Sequence, residues 1–406
     1  MWEERELEGI EFIPEPSDSR ILSAADSTTI GHQEGWRAEV LGWAPDPVHV
    51  IPRRSRAPQR ITNVGIMLLM LLVVWGMWNS QFLYLDVPPP TSEWAFEDTG
   101  IRDLQDLGLD GTGVRVCMVD TGIDASHPDF ATADIVFKDF LTGSTEPIDH
   151  GGLAHGTMMA GILVADGHMK GAAPGVTVGM AAALGDDGDG TNSGEETLVA
   201  DAIEWCWREF NADIISLSLG GINNPNASRE GPTTSAVRQA INQGVFIVAA
   251  AGNDGGADDD GRVASPSNVE EVISVGALMK DGTLWEGSSK GSQIDNEDNP
   301  RADPNLKPEV SAPGHDIIST GSDGLYYTSS GTSDSTVFVA GALALIIEAE
   351  PTLKQVGPAC MEMVKQALQM SSNPLENEVS HDEYWGYGSL NADIWLEEIR
   401  AAGACA

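Results

Sequence analysis

Basic residues are scarce in this chain of 406 residues, in which 22 lysines and arginines stand against 62 aspartates and glutamates. The formal net charge of −40 repels nucleic acids and anionic surfaces, so we expect no nucleic-acid partner. An acid excess of this size fits a surface in a salty or divalent-rich medium, and it also fits an ordinary solvated surface. The sequence leaves both interpretations open.

Cysteine is also scarce, with four residues that lie far apart: Cys117, Cys206, Cys360 and Cys405. They lack metal-ligand spacing, which argues against a metal site built on cysteine. Cys117 lies in an apolar run and Cys206 in a helical pattern, so we expect both to be small core residues and not bridge partners. The sequence therefore predicts no disulfide framework, and the cysteines do not fix the redox compartment.

One uncharged apolar run, residues 64–78, lies near the N-terminus and reaches spanning length with Ile61 and residues 82–85. Arginines precede it and acidic residues follow it: Arg53, Arg54, Arg56 and Arg60, then Asp86, Glu93, Glu97 and Asp98. This asymmetry predicts a transmembrane signal anchor at 61–85 with a cytoplasmic N-terminus. Aromatic residues suit its far interface: Trp75, Trp78 and Tyr84. The uninterrupted run is short, so a buried core helix is the alternative.

The rest of the chain divides by composition. Residues 1–60 form an acidic cytoplasmic tail that ends in the arginine cluster, and residues 86–97 form a proline-rich spacer. Residues 98–400 alternate short apolar runs with amphipathic segments. We predict strands at 114–119, 213–219, 245–250 and 272–277, and helices at 155–164, 195–210, 233–243 and 333–350. Such alternation predicts an α/β domain of three layers, α/β/α, around a mostly parallel sheet.

Four polar residues mark the ends of these elements: Asp120, His155, Asn253 and Ser333. Asp120 ends the first strand, where open parallel sheets place their active sites. His155 and Ser333 open helices, and Asn253 follows a strand in a Gly-Asn turn. Each alone is an ordinary cap or turn residue. The order Asp, His, Ser with an intervening Asn matches a known solution to acyl transfer.

The chemistry explains these residue types. A serine hydroxyl is too weak to attack an amide unaided, so His155 would take the Ser333 proton and then pass it to the leaving amine. Asp120 would orient the imidazole and stabilise its cation. The oxyanion needs aimed donors, which the Asn253 amide and the Ser333 backbone N–H would supply.

Further segments carry a resemblance to the subtilisin family: GAAP at 171–174, DIISLSLGG at 213–221, KPEVSAPG at 307–314 and GYGSLNA at 386–392. With the four motifs above, the resemblance runs from about Asp98 to about Trp395. It implies a subtilisin-like fold and a serine endopeptidase that needs no cofactor for its chemistry and acts on protein or peptide substrates. Together with the predicted signal anchor, this gives a membrane-anchored peptidase whose catalytic domain lies outside the cell membrane.

The resemblance also implies where the substrate binds. One edge would be formed by Ser218, Leu219 and Gly220, and the opposite edge by a loop that includes Asp187 and Gly188. An extended peptide held between two strand edges gains affinity without strict sequence choice. The carboxylates of the second edge would favour basic residues upstream of the cut, or they simply face solvent.

The residue after the serine departs from the family, which usually has methionine where this chain has Asp334. A carboxylate there would favour the helix N-terminus, or it would repel the oxyanion. A catalytically inactive, membrane-tethered module that still grips extended peptides is therefore the alternative function.

Structural calcium, common in the family, stays unassigned because the loop that holds it within the histidine helix of many members is missing here. Carboxylates cluster at 258–260 and 295–298, but they follow no ligand pattern and fit solvated loops better.

Overall fold

The computed structural model describes residues 57–79, 89–188, 191–221, 230–257, 259–296, 299–374 and 380–405. The acidic tail up to residue 56 and residues 80–88, which include the end of the predicted anchor, lie outside this described part. The chain divides into two compact units, residues 1–86 and 87–406.

The described part of the N-terminal unit is one helix, α1 (Ala57–Asn79). Its apolar side chains are exposed along its length, with Ile61 near the start at 72% and Trp75 near the end at 64%. The apolar stretch of α1, Ile61–Met77, is shorter than the 18 residues expected of a membrane-spanning helix. Among the described residues, Thr332–Ala349 is the helix that is long and apolar enough to cross a membrane. The second unit buries 89% of that apolar window, so Thr332–Ala349 is a core helix. Membrane crossing by α1 stays a prediction.

The second unit contains a parallel sheet. Its strands are β1 Arg115–Asp120, β2 Asp134–Asp139, β3 Thr177–Ala182, β4 Gly185–Asp186, β5 Asn192–Ser193, β6 Ile214–Leu217, β7 Phe246–Ala250, β8 Ile273–Leu278, β9 Val310–Pro313, β10 Ile317–Thr320 and β11 Tyr326–Ser329. Seven pair in parallel in the order β2-β3-β1-β6-β7-β8-β9. The inner strands are buried on both faces, which explains their continuous apolar sequences. Antiparallel pairs β4–β5 and β10–β11 lie outside the sheet.

The second unit also contains helices, some of which pack against this sheet. They are α2 Glu93–Asp98, α3 Ile101–Asp106, α4 His155–Val164, α5 Glu196–Arg208, α6 Pro232–Asn242, α7 Thr332–Ala349, α8 Pro358–Ser371 and α9 Ala392–Ala401. The buried helix α7 packs on α4 and on the strands β6 to β9, whereas α5 and α6 form a second pair, with α5 against β1 and β3. The predicted α/β fold with a parallel central sheet is confirmed.

The prediction that the cysteines form no bridges was wrong. Cys117 of β1 is bonded to Cys206 in the last turn of α5, and Cys360 of α8 is bonded to Cys405. The Cα atoms of each pair lie 5.7 Å apart, within the range that a disulfide bridges. The partners are 89 and 45 residues apart in sequence. The first pair meets because α5 packs on β1, and the second because α8 lies beside the C-terminal residues.

A buried ion cluster fastens β9 to its neighbours. The Glu309 carboxylate, 1% exposed, pairs with the ammonium groups of Lys307 and Lys365 at 2.8 and 2.7 Å. Its other oxygen accepts the backbone N–H of Ser274 at 2.7 Å, and Lys307 also donates to the carbonyl of Val272 at 2.6 Å. The cluster therefore ties together the starts of β8 and β9 and the helix α8.

Candidate active site

The carboxyl end of β1 holds one half of the candidate site. Asp120, 1% exposed, accepts a hydrogen bond on Oδ1 from the His155 ring nitrogen Nδ1 at 2.7 Å and another from the backbone N–H of Thr121 at 2.7 Å. Among the described residues, its second oxygen is buried without a hydrogen-bond partner. A carboxylate buried in this way remains strongly attracted to a nearby cation, and the imidazole is the cation-forming group beside it.

A strained turn sets the position of His155 at the start of α4. Leu153 and Ala154 immediately before it have left-handed backbones, with φ of 56° and 54°, which costs non-glycine residues about 1–2 kcal/mol each. Asp149 offsets this strain, because its Oδ2 accepts the backbone N–H and the hydroxyl of Thr157 at 2.8 and 2.6 Å. The His155 side chain is 23% exposed, and the aspartate holds its Nδ1.

Ser333 and Asn253 lie at the N-terminal end of α7. Ser333 is the second residue of the helix and is 8% exposed. Asn253, just after β7, accepts hydrogen bonds on its side-chain oxygen from the backbone N–H and the hydroxyl of Thr332, both at 2.9 Å. A Cβ added at Gly331 would lie 3.2 Å from the Asn253 amide nitrogen, so the glycine leaves room for that amide. The oxygen of Asn253 is thereby anchored, and its NH₂ group stays available as a donor.

The structure brings the site residues together in pairs. His155 is bonded to Asp120, and Ser333 is bonded to Ser218: its hydroxyl donates to the Ser218 carbonyl at 3.3 Å, and the Ser218 hydroxyl donates to the Ser333 carbonyl at 3.1 Å. In the described part of the chain, no hydrogen bond joins His155 to Ser333. Catalytic hydrogen bonds of this kind are often long in a substrate-free enzyme and tighten when substrate binds.

Three carboxylates act electrostatically on the imidazole, those of Asp120, Asp334 and Asp149. Burial of the ring disfavours its charged form, but the three anions outweigh burial and raise the pKa of His155 to about 9. Burial likewise raises the pKa of Asp334 to about 7, although the Ser329 hydroxyl and the His155 charge act in the opposite direction.

The segments predicted to bind substrate are both exposed in part. After β6, Leu219 is partly exposed and Gly220 exposed, and Ser218 contacts Ser333. The opposite edge is the β4–β5 hairpin, in which Asp187 and Gly188 are exposed. This hairpin is joined to the loop before His155, because the Asp186 N–H donates to the His150 carbonyl at 2.9 Å.

Metal ligands are not grouped in the part of the chain that the structure describes: no three His, Cys, Asp or Glu side chains there could hold an ion. Asp258 and residues 297–298 of the two acidic segments lie outside that part. The buried carboxylate of Asp129 near the end of α4 has protein donors, namely the backbone N–H groups of His168 and Met169 and the Tyr326 hydroxyl, at 2.7, 3.1 and 2.7 Å.

Sequence reasoning missed several residues that shape the site. Asp149 and the left-handed turn at 153–154 carry no local signal, because a single aspartate and a Leu-Ala pair are common everywhere. Ser329, at the end of β11, contacts Asp334 only because β11 leads directly into α7. The sequence did contain one usable signal, the two consecutive glycines at 151–152, which mark a turn just before a candidate catalytic residue.

Comparison with known proteins agrees with this geometry. The sequence model of the subtilase family matches residues 111–388. Subtilisin E of Bacillus subtilis (strain 168) is 32% identical over 71% of this chain and 67% of that protein. The serine protease AprX of the same organism is 33% identical over 70% of this chain and 66% of that protein, and an intracellular serine protease of Paenibacillus polymyxa is 35% identical over 65% and 77%.

Proposed function

The chain belongs to the subtilase family of serine endopeptidases, and we propose that it hydrolyses peptide bonds with Asp120, His155 and Ser333 as its catalytic triad. The observation that carries the assignment is the 2.7 Å hydrogen bond from His155 Nδ1 to a buried Asp120 oxygen. That bond fixes the ring tautomer, so Nε2 is the nitrogen left to act as a base. The packing of α4, which begins at His155, against α7, whose second residue is Ser333, supports the pairing of these two residues in one site.

The proposed reaction proceeds through an acyl-enzyme. The Ser333 hydroxyl leaves the Ser218 carbonyl, to which its 3.3 Å hydrogen bond is long, and turns toward His155 Nε2. As the serine oxygen attacks the substrate carbonyl carbon, His155 takes the proton and later gives it to the leaving amine. Water then attacks the acyl carbonyl carbon while His155 takes its proton, the ester bond to the Ser333 oxygen breaks, and His155 returns the proton to that oxygen as the carboxylic acid product leaves. Asp120 stabilises the imidazolium in both steps.

The oxyanion of each tetrahedral intermediate would lie at the N-terminus of α7. Its donors would be the Asn253 side-chain NH₂ and the Ser333 backbone N–H. Two contacts support Asn253 in this role: Thr332 holds its oxygen through two hydrogen bonds of 2.9 Å, which keeps its amide pre-aimed. The positive end of the helix dipole adds to the stabilisation of the negative oxygen.

The substrate would bind as an extended strand between the two exposed edges of the site. Ser218, Leu219 and Gly220 would pair with the peptide backbone on one side, and Asp187 and Gly188 on the other. Main-chain pairing of this kind supports cleavage of many sequences, as expected for an endopeptidase.

A turnover assay tests the proposed chemistry. The wild type should hydrolyse unfolded casein. Ser333→Ala should lower kcat by about 10⁶-fold, because the nucleophile and its base act as a unit. Ser330→Ala is the matched control, since this exposed serine three residues earlier has no proposed role. Peptide binding without turnover by the wild type, or turnover that survives Ser333→Ala, would instead identify an inactive binding module or another nucleophile.

We also propose that α1 anchors the chain in a cell membrane, with residues 1–60 cytoplasmic and the peptidase domain outside. Exposed apolar side chains on α1 and the arginine cluster before it support the proposal. The two disulfides of the second unit fit an oxidising compartment outside the cytoplasm.

The topology is testable in intact cells with the full-length chain. Alkaline carbonate should leave the protein in the membrane pellet, and deletion of residues 61–77 should release it. Protease added outside should digest the second unit and spare an N-terminal tag. Extraction by carbonate would contradict anchoring, and digestion of the tag would reverse the orientation.

A further inference from the structure

The start of α4, at His155, is capped in an unusual way. An α-helix leaves the backbone N–H groups of its first turn without partners inside the helix, and the N-cap side chain usually accepts one of them. The N-cap residue of α4 is Ala154, whose methyl group cannot accept a hydrogen bond. Polar groups from outside the helix therefore have to satisfy the amides that follow His155.

Thr121 and Asp149 satisfy these amides. The Thr121 hydroxyl accepts the backbone N–H of Gly156 at 2.8 Å, and Asp149 Oδ2 accepts the backbone N–H of Thr157 at 2.8 Å. In sequence, Thr121 directly follows the aspartate of the proposed triad, and Gly156 directly follows its histidine. The first of these hydrogen bonds therefore joins the segments that carry the two triad residues.

The Asp149 carboxylate sets the direction of the hydroxyls around it. Its Oδ1 accepts the Thr121 hydroxyl at 2.6 Å, and its Oδ2 accepts the Thr157 hydroxyl at 2.6 Å. Because an ionised carboxylate only accepts, each hydroxyl gives its proton to Asp149 and keeps its lone pairs for a backbone N–H. The Thr157 hydroxyl uses them for the N–H of Asp124 at 2.8 Å. Both threonines are 0% exposed, so these bonds form in a dry environment, where they are strong.

Two glycines allow the end of β1 and the start of α4 to approach closely. A Cβ added at Gly156 would lie 2.1 Å from the Gly122 carbonyl oxygen. A Cβ added at Gly151 would lie 2.6 Å from the Thr121 hydroxyl oxygen. The segments are therefore in direct contact, and a change in how one packs is felt by the other.

We propose that Thr121 and Asp149 are positioning residues, which cap α4 from outside and thereby hold the His155 ring against Asp120. This role rests on the proposed triad, and it adds a second connection between the two triad residues besides their direct 2.7 Å hydrogen bond. Loss of the cap would loosen the start of α4, and with it the hydrogen bond of Nδ1 and the direction of Nε2. Misplacing a catalytic group by about 1 Å costs about 100-fold in rate, so the loss should appear in kcat.

The test removes one hydroxyl and then restores it. Thr121→Val keeps a branched side chain and deletes the hydroxyl, whereas Thr121→Ser keeps the hydroxyl. On a peptide substrate, we expect kcat to fall by about 10- to 100-fold in Thr121→Val with KM within about 3-fold of the wild type. In Thr121→Ser, kcat should stay within about 3-fold of the wild type. Neither substitution changes a charge, so the comparison isolates the hydrogen bonds of the hydroxyl.

Thr99→Val is the matched control for stability. Thr99 is 1% exposed, and its hydroxyl donates to the carbonyls of Ala95 and Phe96 at 2.8 and 3.2 Å, at the end of α2. The control should lower the thermal unfolding midpoint and leave kcat within about 2-fold of the wild type. Equal losses of kcat in Thr121→Val and Thr99→Val would overturn the proposal, because both would then reflect stability. A Thr121→Val enzyme with the kcat of the wild type would also overturn it.

Thr157 offers a second test of the same network if Thr121→Val does not fold. Thr157→Val removes the other hydroxyl that donates to Asp149 and should also lower kcat, while Thr157→Ser should restore it. A kcat that Thr157→Val leaves unchanged would contradict the role of the network.

A measurement without turnover separates this role from the proposed function. In a Ser333→Ala background, NMR detects the proton of His155 Nδ1, which resonates far downfield when its hydrogen bond to Asp120 is ordered. The resonance should broaden or disappear in Thr121→Val and persist in Thr121→Ser. That result supports the positioning role even if the wild type cleaves no casein. A resonance that Thr121→Val leaves unchanged refutes it even if the wild type is a fully active peptidase.

Discussion

Replacing Glu309 by glutamine should destabilise the second unit severely, because it breaks the buried ion cluster from its centre. Glu309 pairs with Lys307 and Lys365 at 2.8 and 2.7 Å, and the two ammonium groups are 0% and 2% exposed. Removing one member of a buried pair typically costs about 3–5 kcal/mol, since the partner charge remains in a dry site. Burial and the facing cations already lower the pKa of Lys307 well below its usual value of 10.5, despite the attraction of Glu309.

The loss has a ceiling that follows from titration. Without Glu309, Lys307 can avoid the energy of an unpaired buried charge by releasing its proton. At pH 7 this deprotonation requires at most about 5 kcal/mol for a group whose ordinary pKa is 10.5. We therefore expect a decrease of about 3–5 kcal/mol in the free energy of unfolding.

Urea unfolding of Glu309→Gln measures this loss, in a Ser333→Ala background that prevents self-digestion. Glu350→Gln is the matched control, because Glu350 pairs with an Arg400 side chain that is 51% exposed and should cost less than about 1 kcal/mol. Equal losses in the two variants would refute the argument that burial makes the Glu309 cluster strong. So would a Glu309→Gln protein that is as stable as its parent.

Three further predictions concern catalysis and metal binding. Asp120→Asn should keep the fold and lower kcat by about 10⁴-fold, because the His155 ring loses the acceptor that fixes its tautomer. Steady-state kinetics measure kcat and circular dichroism checks the fold; an unchanged kcat would contradict this role of Asp120. Asn253→Ala should lower kcat by about 10²–10³ with little change in KM, whereas a change confined to KM would remove it from the oxyanion site. Chelation with EDTA should leave the thermal unfolding midpoint unchanged, because protein donors already satisfy the buried Asp129 carboxylate; a lower midpoint that calcium restores would reveal an ion site.

The fold was predictable from four strands of the sheet, β1, β6, β7 and β8, which are buried on both faces, whereas β3 and β9 of the same sheet were not predicted. Their apolar runs, separated by amphipathic helices, carry the pattern of a parallel sheet, and the predicted helix at 155–164 has the observed bounds. The outer strand β2 was missed because its side chains alternate between exposed and partly buried positions, with charged residues at Asp134 and Lys138. Strands β10 and β11 were missed because they form a small antiparallel pair outside the sheet.

The contacts that complete the site depend on packing between distant segments. The disulfide between Cys117 and Cys206 forms because α5 packs on β1. The residues next to each cysteine in sequence contain no signal for this pairing. Similarly, His155 and Ser333 lie at the starts of α4 and α7, two helices that pack against each other although they are far apart in sequence. Residue types and order therefore predicted the candidate chemistry, whereas the disulfides and the packing of α4 on α7 became visible only in the structure.

The most direct test of the central claim is covalent labelling with a fluorophosphonate probe, followed by peptide mass spectrometry. We predict a single adduct on the Ser333 hydroxyl oxygen, formed at least about 10³-fold more slowly when His155 is replaced by alanine, because the base no longer activates the nucleophile. An adduct on another residue, or labelling of the wild type that is no faster than that of His155→Ala, would contradict the proposed triad.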